Sequence, residues 1–563
     1  MEYFNIAALM LIIIAMIIAG IIRKKRPLSE RFQSIIGSRA FELSAVAVIL
    51  IIGALLRLVQ LSQLPAGMNQ DEASMGYDAW ALANYGIDRN GYAFPVYPVA
   101  WGAGHGPFYV YLSMVFIKLF GGSLFVYRLP GALMGIASIL LLYLTVKMLR
   151  NRFTAYIAAF LLALSPWHIM LSRWGLDANP MPFLVLLAVF FFVLGYKKQR
   201  TRFYVLSAAG FALSLYAYAS AYVVVPILLL ISVFYAIKQR RLTVRQLLSS
   251  GAAFVLVALP LAVFWVINIF HLPEINTPLF SIPRLTAMRS TSVFLPLDGA
   301  FLGNVADNLG KLVTMLFSYQ NVEIYNILEG FNIIYVFTLP LTVAGCVRVL
   351  RRGLRLRDDN GEFIIAAWFI SSFLYALVIH QNINRLSIMF IPVIYFTAVG
   401  FEWLSESFRE LTAVALGLVI AGSCLFTAKY FGDDYRQAIG AEFMSGLGEA
   451  AAYADSLDCE TVYCADAYYD GSIKGAYLIL MYYCEVDPKL FNDTVQYYDN
   501  ETQFRYAQRF GRYCFMIPAE LTSPAYYNDV FVLPAADAAR FDSTYEIKYF
   551  DRYIVVHKAN AAP

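Results

Sequence analysis

Charged side chains that could do chemistry occur beside long apolar runs of this 563-residue chain. Asp71 and Glu72 directly follow the second apolar run, and Asp78 lies two helical turns beyond Asp71 if 71–85 is helical. Adjacent carboxylates do not share a helix face, so at most one of the pair should address a given reacting atom. We expect that one to be Asp71, although an Asp at this position could instead cap the helix.

Arginines occur at comparable positions near the ends of apolar runs. Arg128 opens a long run, Arg173 lies between two runs, and Arg385 follows a polar turn that begins at His380. Guanidinium groups match phosphate geometry, so we predict that all three bind phosphate. The alternatives are an interfacial anchor for Arg128 and, for Arg173, an ion pair with Asp177 four residues later.

A further set of polar residues is predicted to bind substrate. Its members are Asp78, His105, Asp177, Tyr218 and Tyr222. Two simpler interpretations stay open: an interfacial aromatic belt would explain the tyrosines, and a helix start at Pro107 would explain the sequence around His105.

The elements that hold these residues are predicted from composition. Hydrophobic residues make up 60% of the chain and charged residues 15%, against about 45–50% and about 25% in soluble domains. Repeated apolar runs of bilayer-spanning length account for the excess, so the lipid bilayer is an expected partner. The net charge of +4 is too small to indicate nucleic acid as a partner.

Positive clusters define the predicted topology. They occur at 23–26, 147–152, 197–202, 238–245 and 348–357, and the positive-inside rule places them in the cytoplasm. The chain must then cross the membrane an odd number of times between 62 and 150, so 107–120 and 129–147 cannot both be spans. We predict a juxtamembrane or re-entrant helix over 105–122. About twelve spans remain, at 4–22, 43–61, 129–147, 153–171, 179–197, 203–218, 221–237, 249–270, 331–349, 362–380, 385–403 and 410–428.

The chain is predicted to have two parts. Residues 1–429 form the transmembrane domain, with outer loops 62–127 and 271–330, and the tail 430–563 lies outside the cell. We expect a small α/β or α+β domain there, with strands near 460–465, 513–517, 530–533 and 545–557 and a helix over 467–483. Four of the six cysteines lie in this tail, where a disulfide could form.

On this topology every candidate residue lies at the outer ends of spans or in outer loops. Ionisable groups near hydrocarbon mark function by default, and clustering on one side favours a cavity open to the outer interface. A transporter would more often place its charges near the bilayer midplane.

Five segments in order between 65 and 240 carry a resemblance to a known family: DEASMGYDAWALANYG, GHGPFYVYL, YRLPGALMG, LSPWHIMLSRWGLDANP and YAYASAYVVVP. The chain resembles the GT-C superfamily of membrane glycosyltransferases, in particular the protein O-mannosyltransferase and lipid A aminoarabinose-transferase branch. The resemblance implies a polytopic helical fold with juxtamembrane helices in the first outer loop and a variable extracytoplasmic C-terminal part. The family's Asp-Glu pair matches Asp71 and Glu72. The chain departs from the family at His105-Gly106-Pro107, where relatives usually show two prolines, and this leaves the role of His105 open.

The resemblance also implies a reaction, the transfer of a sugar from a polyprenyl-phosphate donor to an acceptor hydroxyl, with inversion. We predict Asp71 as the base, with Glu72 orienting the acceptor or joining Asp71 in holding a divalent metal. No cofactor is certain. The acceptor could be a protein, a lipid or a cell-wall polymer of the cell envelope. Two alternatives without catalysis are a lipid-linked sugar flippase or exporter and an envelope scaffold.

Overall fold

A computed structural model describes residues 1–22, 34–35, 37–100, 103–286, 293–317, 323–353, 361–465, 475–498 and 505–559. The predicted positive cluster 23–26, and residues 354–357 of the cluster 348–357, lie outside these residues. The described chain is mostly helical, with one larger sheet near its C-terminus.

Each of the twelve predicted spans corresponds to a helix. Eight are long and apolar enough to cross a membrane by length and composition: Glu2–Ile22, Arg39–Leu58, Leu124–Leu149, Met181–Lys198, Ala221–Lys238, Val244–Ile269, Ile383–Ser407 and Arg409–Tyr430. Four are shorter: Arg152–Ala163, Thr201–Ser214, Leu339–Gly353 and Phe363–Leu377. The protein is therefore a multi-pass membrane protein, as predicted.

Two helices lie in the predicted first outer loop, Gln70–Tyr85 and Pro107–Phe120. Pro107–Phe120 packs against Gln70–Tyr85, which is buried along most of its length. Pro107–Phe120 has 14 residues, as many as Thr201–Ser214. The exclusion of 107–120 as a span therefore stays a prediction from charge and parity.

The predicted span 153–171 is interrupted. Its first helix ends at Ala163, and a short helix Pro166–Leu171 follows, because Pro166 lacks an amide hydrogen and Ser165 caps the new helix. The buried Arg57 donates to the carbonyls of Leu162 and Ala163 at 3.1 Å. These bonds satisfy carbonyls that the helix end leaves without intrahelical partners.

The larger sheet has seven strands: β3 Val462–Cys464, β4 Gln496–Tyr497, β5 Ala507–Phe510, β6 Tyr513–Cys514, β7 Val530–Pro534, β8 Tyr545–Phe550 and β9 Tyr553–Lys558. Their order in the sheet is β4-β5-β6-β3-β7-β9-β8. The four predicted strand regions are confirmed, except that 545–557 is a hairpin of two strands turning at Asp551, whose φ is 49°. β4 and β5 were not predicted, because they are short and lack an alternating pattern.

Helices cover this sheet and join it to the membrane part. They are Asp433–Glu442, Leu447–Asp455, Ala476–Tyr483 and Pro488–Thr494. The third confirms part of the predicted helix 467–483, whose first residues lie outside the described chain. It packs against Gln70–Tyr85, and the Tyr77 hydroxyl donates to the Val486 carbonyl at 2.8 Å. All six cysteines are free thiols.

The second outer loop contributes a two-stranded hairpin and an amphipathic helix. The hairpin joins β1 Ile275–Asn276 to β2 Ser281–Ile282, and the helix is Phe301–Phe317. Short 3₁₀ turns lie elsewhere at Val336–Thr338, Ser387–Met389, Pro524–Tyr526 and Ala535–Arg540.

Candidate active site

A polar cavity of about 220 Å³ lies among side chains from several separate parts of the chain. It is lined by Asp71, Met75, Ala100, Gly104, His105, Leu176, Asp177, Tyr218, Tyr325, Asn382, Asn384 and Arg385. The sequence-predicted residues that it brings together are Asp71, His105, Asp177, Tyr218 and Arg385. Five of the candidate residues thus line one cavity, and its opening to the outer interface stays a prediction.

Asp71 lies in the first turn of Gln70–Tyr85 and lines the cavity. The cap of this helix is Asn69, whose Oδ1 accepts the Asp71 amide hydrogen at 2.8 Å. Because Asn69 already supplies the cap, the alternative role of Asp71 as the capping residue does not apply.

Glu72 points away from the cavity, which corrects two predictions. Its side chain is fully buried and accepts two hydrogen bonds from Arg128, at 2.8 and 2.7 Å, and a third from the Gly175 amide at 2.8 Å. Glu72 therefore does not orient an acceptor in the cavity, and its oxygens are not available to share a metal with Asp71. Among the described residues, no group of three or more His, Cys, Asp or Glu side chains is arranged to hold a metal.

Arg128 is also corrected from a phosphate ligand to a structural residue. Besides Glu72, its guanidinium donates to the carbonyls of Leu61, Pro65 and Gly67 at 2.8–3.3 Å. The side chain is fully buried. Arg128 thus fixes the loop that leads into the helix carrying Asp71.

Arg173 is corrected in the same way. It donates to the carbonyls of Leu56, Val59, Gln60 and Leu64 at 2.7–3.2 Å. Its guanidinium lies 5.1–5.5 Å from the ring centroids of Tyr430 and Phe431. These contacts place it behind the cavity wall, and they replace the expected pairing with Asp177.

Asp177 and His105 form neighbouring parts of the wall. The Asp177 carboxylate accepts the Gly106 amide hydrogen at 3.0 Å. A Cβ at Gly106 would lie 1.8 Å from the Ala217 carbonyl oxygen, so only glycine permits this close approach. Gly106 therefore lets the segment that carries His105 approach both Asp177 and the turn that carries Tyr218.

Asp78 and Tyr222 do not line the cavity, contrary to prediction. Asp78 is fully buried and accepts two hydrogen bonds from the Arg89 guanidinium, at 2.9 and 2.6 Å. Its Oδ2 lies 3.7 Å from His105 Nε2, so it supports the wall from behind. Tyr222 packs edge-on against Trp265, with ring centroids 5.7 Å apart.

Arg385 brings a guanidinium group to the cavity. One of its nitrogens donates to the His380 carbonyl at 2.6 Å, and the side chain also hydrogen bonds to Tyr218. Asn382, which caps the turn, donates to Glu323 at 3.0 Å and so joins the second outer loop to the site. Tyr325 reaches the cavity from that loop, and sequence reasoning missed it because no local pattern distinguishes it.

Asp88, buried behind the same wall, provides a pH-dependent test of the structure. Burial, and then repulsion from Asp78, raises the pKa of Asp88 to about 7, whereas an unfolded Asp titrates near 3.9. The folded protein thus holds this proton more tightly than the unfolded chain. The contribution to stability is fully present below about pH 4 and is lost as the pH rises through about 7.

We therefore expect the thermal unfolding midpoint of the purified protein to decrease when the pH is raised from 5 to 8. The decrease should be larger than that of the Asp88→Asn variant. Equal pH dependence of the two proteins would contradict the buried, protonated state of Asp88.

The fold and the cavity define a class of protein. The chain matches a crystal structure of ArnT from Cupriavidus metallidurans bound to undecaprenyl phosphate, with a TM-score of 0.51 and 12% identity over 93% of this chain and 100% of that one. The chain thus has the GT-C fold of that structure, and the fold predicted from the sequence is confirmed.

Within that class, residues 104–281 match the family described as dolichyl-phosphate-mannose-protein mannosyltransferase. A crystal structure of the Archaeoglobus fulgidus oligosaccharyltransferase matches with a TM-score of 0.44 and 16% identity over 79% of this chain. The chain spans 64% of the length of that enzyme. No curated protein sequence matches the chain significantly.

Proposed function

We propose that the protein transfers a sugar from a polyprenyl-phosphate donor to an acceptor hydroxyl on the extracytoplasmic side of the membrane. The observation that carries this proposal is that a carboxylate, Asp71, and a guanidinium, Arg385, line one cavity in a GT-C fold. The matched family is named for a dolichyl-phosphate sugar donor, and the matched ArnT structure holds undecaprenyl phosphate.

In this mechanism the Asp71 carboxylate accepts the proton of the acceptor hydroxyl while its oxygen attacks the anomeric carbon. The bond from that carbon to the phosphate oxygen breaks, and Arg385 stabilises the negative charge of the leaving lipid phosphate. Attack from the face opposite the phosphate inverts the anomeric centre. One base without a nucleophilic partner is consistent with this outcome.

The remaining cavity residues are proposed to bind the sugar. Asp177, His105 and Tyr218 line the cavity and offer hydrogen-bonding groups to a sugar. Its volume of about 220 Å³ would hold about seven water molecules at roughly 30 Å³ each. That volume suits one monosaccharide better than an oligosaccharide.

A second, apolar cavity is proposed to receive the first part of the lipid tail. It has a volume of about 360 Å³ and is lined by Pro107, Phe108, Tyr111, Leu112, Leu213 and Tyr216. Only Gly106 separates its first lining residue from His105 of the polar cavity. A phosphate at the boundary would thus have its sugar in the polar cavity and its hydrocarbon in the apolar one.

Substitution of Arg385 tests the phosphate role. We expect Arg385→Gln to lower kcat/KM for the donor by about 10- to 100-fold, because a charge-assisted hydrogen bond to phosphate contributes roughly 1.5–3 kcal/mol. Arg284→Gln, which removes an exposed arginine of the second outer loop, is the matched control and should leave the rate unchanged. Equal rates for wild type and Arg385→Gln would remove Arg385 from the mechanism.

The decisive experiment offers a panel of radiolabelled polyprenyl-phosphate sugars to the purified protein, with membrane extract as the source of acceptors. Consumption of one donor would support the transferase and would name the sugar. Binding of donors without consumption of any would favour the flippase or exporter.

Residues 1–429 are proposed as the catalytic transmembrane domain and 430–563 as the extracytoplasmic domain.

A further inference from the structure

We infer that Phe443, which follows the last membrane helix, is a positioning residue for Asp71. The inference rests on the proposed function, because it assigns part of the catalytic geometry to the C-terminal segment. Phe443 ends the helix Asp433–Glu442 and is fully buried.

Phe443 holds the loop before Asp71 through its backbone. Its carbonyl accepts the Met68 amide hydrogen at 2.7 Å. At the preceding residue, Gly67, a Cβ would lie 2.1 Å from the same carbonyl oxygen. The backbone around Phe443 is therefore in direct contact with the backbone of Gly67 and Met68. Met68 immediately precedes Asn69, which caps the helix that carries Asp71.

The opposite side of this loop is fixed by Arg128, which donates to the Gly67 carbonyl at 2.8 Å. Gly67 thus lies between a rigid membrane-helix side chain and the C-terminal segment. With both sides held, the start of the helix has little freedom to move, and the position of the Asp71 carboxylate depends on both contacts.

The Phe443 side chain reaches a second part of the cavity. Its ring centroid lies 5.6 Å from that of Trp174 and 5.8 Å from that of Tyr325, and the latter two are 5.3 Å apart. Tyr325 lines the cavity, and Trp174 is two residues before the lining residue Leu176. One residue of the C-terminal segment therefore contacts both the loop before Asp71 and Tyr325, which lines the cavity.

Gly67→Ala tests the contact between Gly67 and the Phe443 carbonyl, and a control variant measures the strain of placing alanine at a left-handed backbone position. We expect kcat to fall by about 10- to 100-fold, the cost typical of a misplacement of about 1 Å, while the donor KM changes by less than about threefold. Gly86→Ala is the matched control, because Gly86 also has a left-handed φ of 73° but its nearest neighbour is a Phe94 ring atom at 3.3 Å. It should retain kcat within about threefold. An equal loss in both variants would overturn the inference.

Phe443→Leu tests the ring contacts while keeping the backbone carbonyl and the apolar volume. We expect a smaller fall in kcat than for Gly67→Ala, and Phe443→Ala should fall further. An unchanged kcat in Phe443→Ala would overturn the role of the ring.

Hydrogen exchange at the Met68 amide provides a readout that needs no donor. We expect faster exchange in Gly67→Ala than in wild type and Gly86→Ala, with unchanged exchange in the helix Ala221–Lys238. Unchanged exchange at Met68 would overturn the contact, and faster exchange with full kcat would overturn the positioning. If the wild type transfers no sugar, the proposed function fails, while exchange still decides whether Phe443 fixes the loop.

Discussion

Asp71→Asn is expected to lower the rate of sugar transfer by about 10²- to 10⁴-fold, because the amide cannot accept the acceptor's proton. The side chain keeps its size, and Asn69 still caps the helix Gln70–Tyr85, so folding and donor binding should be retained. Initial rates with the reactive donor, together with donor binding to the same preparation, measure both effects.

Asp433→Asn is the matched control for this substitution. Asp433 is also an acidic residue in the first turn of a helix, but it is exposed and does not line the cavity. Its variant should transfer sugar at the wild-type rate. A fully active Asp71→Asn would eliminate Asp71 as the base, while the protein would remain a transferase.

Arg128→Met is expected to destabilise the protein by about 3–5 kcal/mol, because it leaves the Glu72 carboxylate buried without a partner. The double variant Glu72→Gln with Arg128→Met carries no uncompensated charge and should recover part of the loss. Thermal unfolding of the purified variants in detergent measures the order of stabilities: wild type, then double variant, then Arg128→Met.

The exposed ion pair between Lys429 and Glu329 is the control for this series. Their atoms are 3.2 Å apart, but the side chains are 36% and 70% exposed, and such pairs contribute only about 0–1 kcal/mol. Glu329→Gln should therefore hardly move the unfolding midpoint. If Arg128→Met instead weakened donor binding without loss of stability, Arg128 would be the phosphate ligand that the sequence suggested.

The fold was largely predictable because each membrane helix appears in the sequence as an apolar run. The positive clusters require an odd number of crossings between 62 and 150, and this argues against 107–120 as a span. The interruption after Ala163 has a local signal in Ser165 and Pro166. The bonds from Arg57 to the carbonyls at the helix end have none, since Arg57 lies more than a hundred residues earlier in the chain. Strands β4 and β5 were missed for a similar reason: they are defined by pairing partners and not by local pattern.

The site was predictable in location but not in detail. Residue type and depth placed Asp71, Asp177 and Arg385 at one face, and the cavity contains all three. The same criteria also selected Arg128 and Arg173, because a buried guanidinium that binds carbonyls has the same sequence signature as one that binds phosphate. Only three-dimensional contacts separate these two cases.

The burial of the helix Gln70–Tyr85 beneath Ala476–Tyr483 has a consequence for biosynthesis. Tyr77 and its hydrogen-bond partner Val486 are 409 residues apart, and at about 5–20 residues per second the ribosome needs on the order of 20 to 80 s to make the intervening chain. During this time the helix exists without its covering partner. Asp71 is therefore synthesised early, yet the helix that carries it is covered only after residues near the C-terminus have been made, and a chain that stops after the final membrane helix would lack this cover.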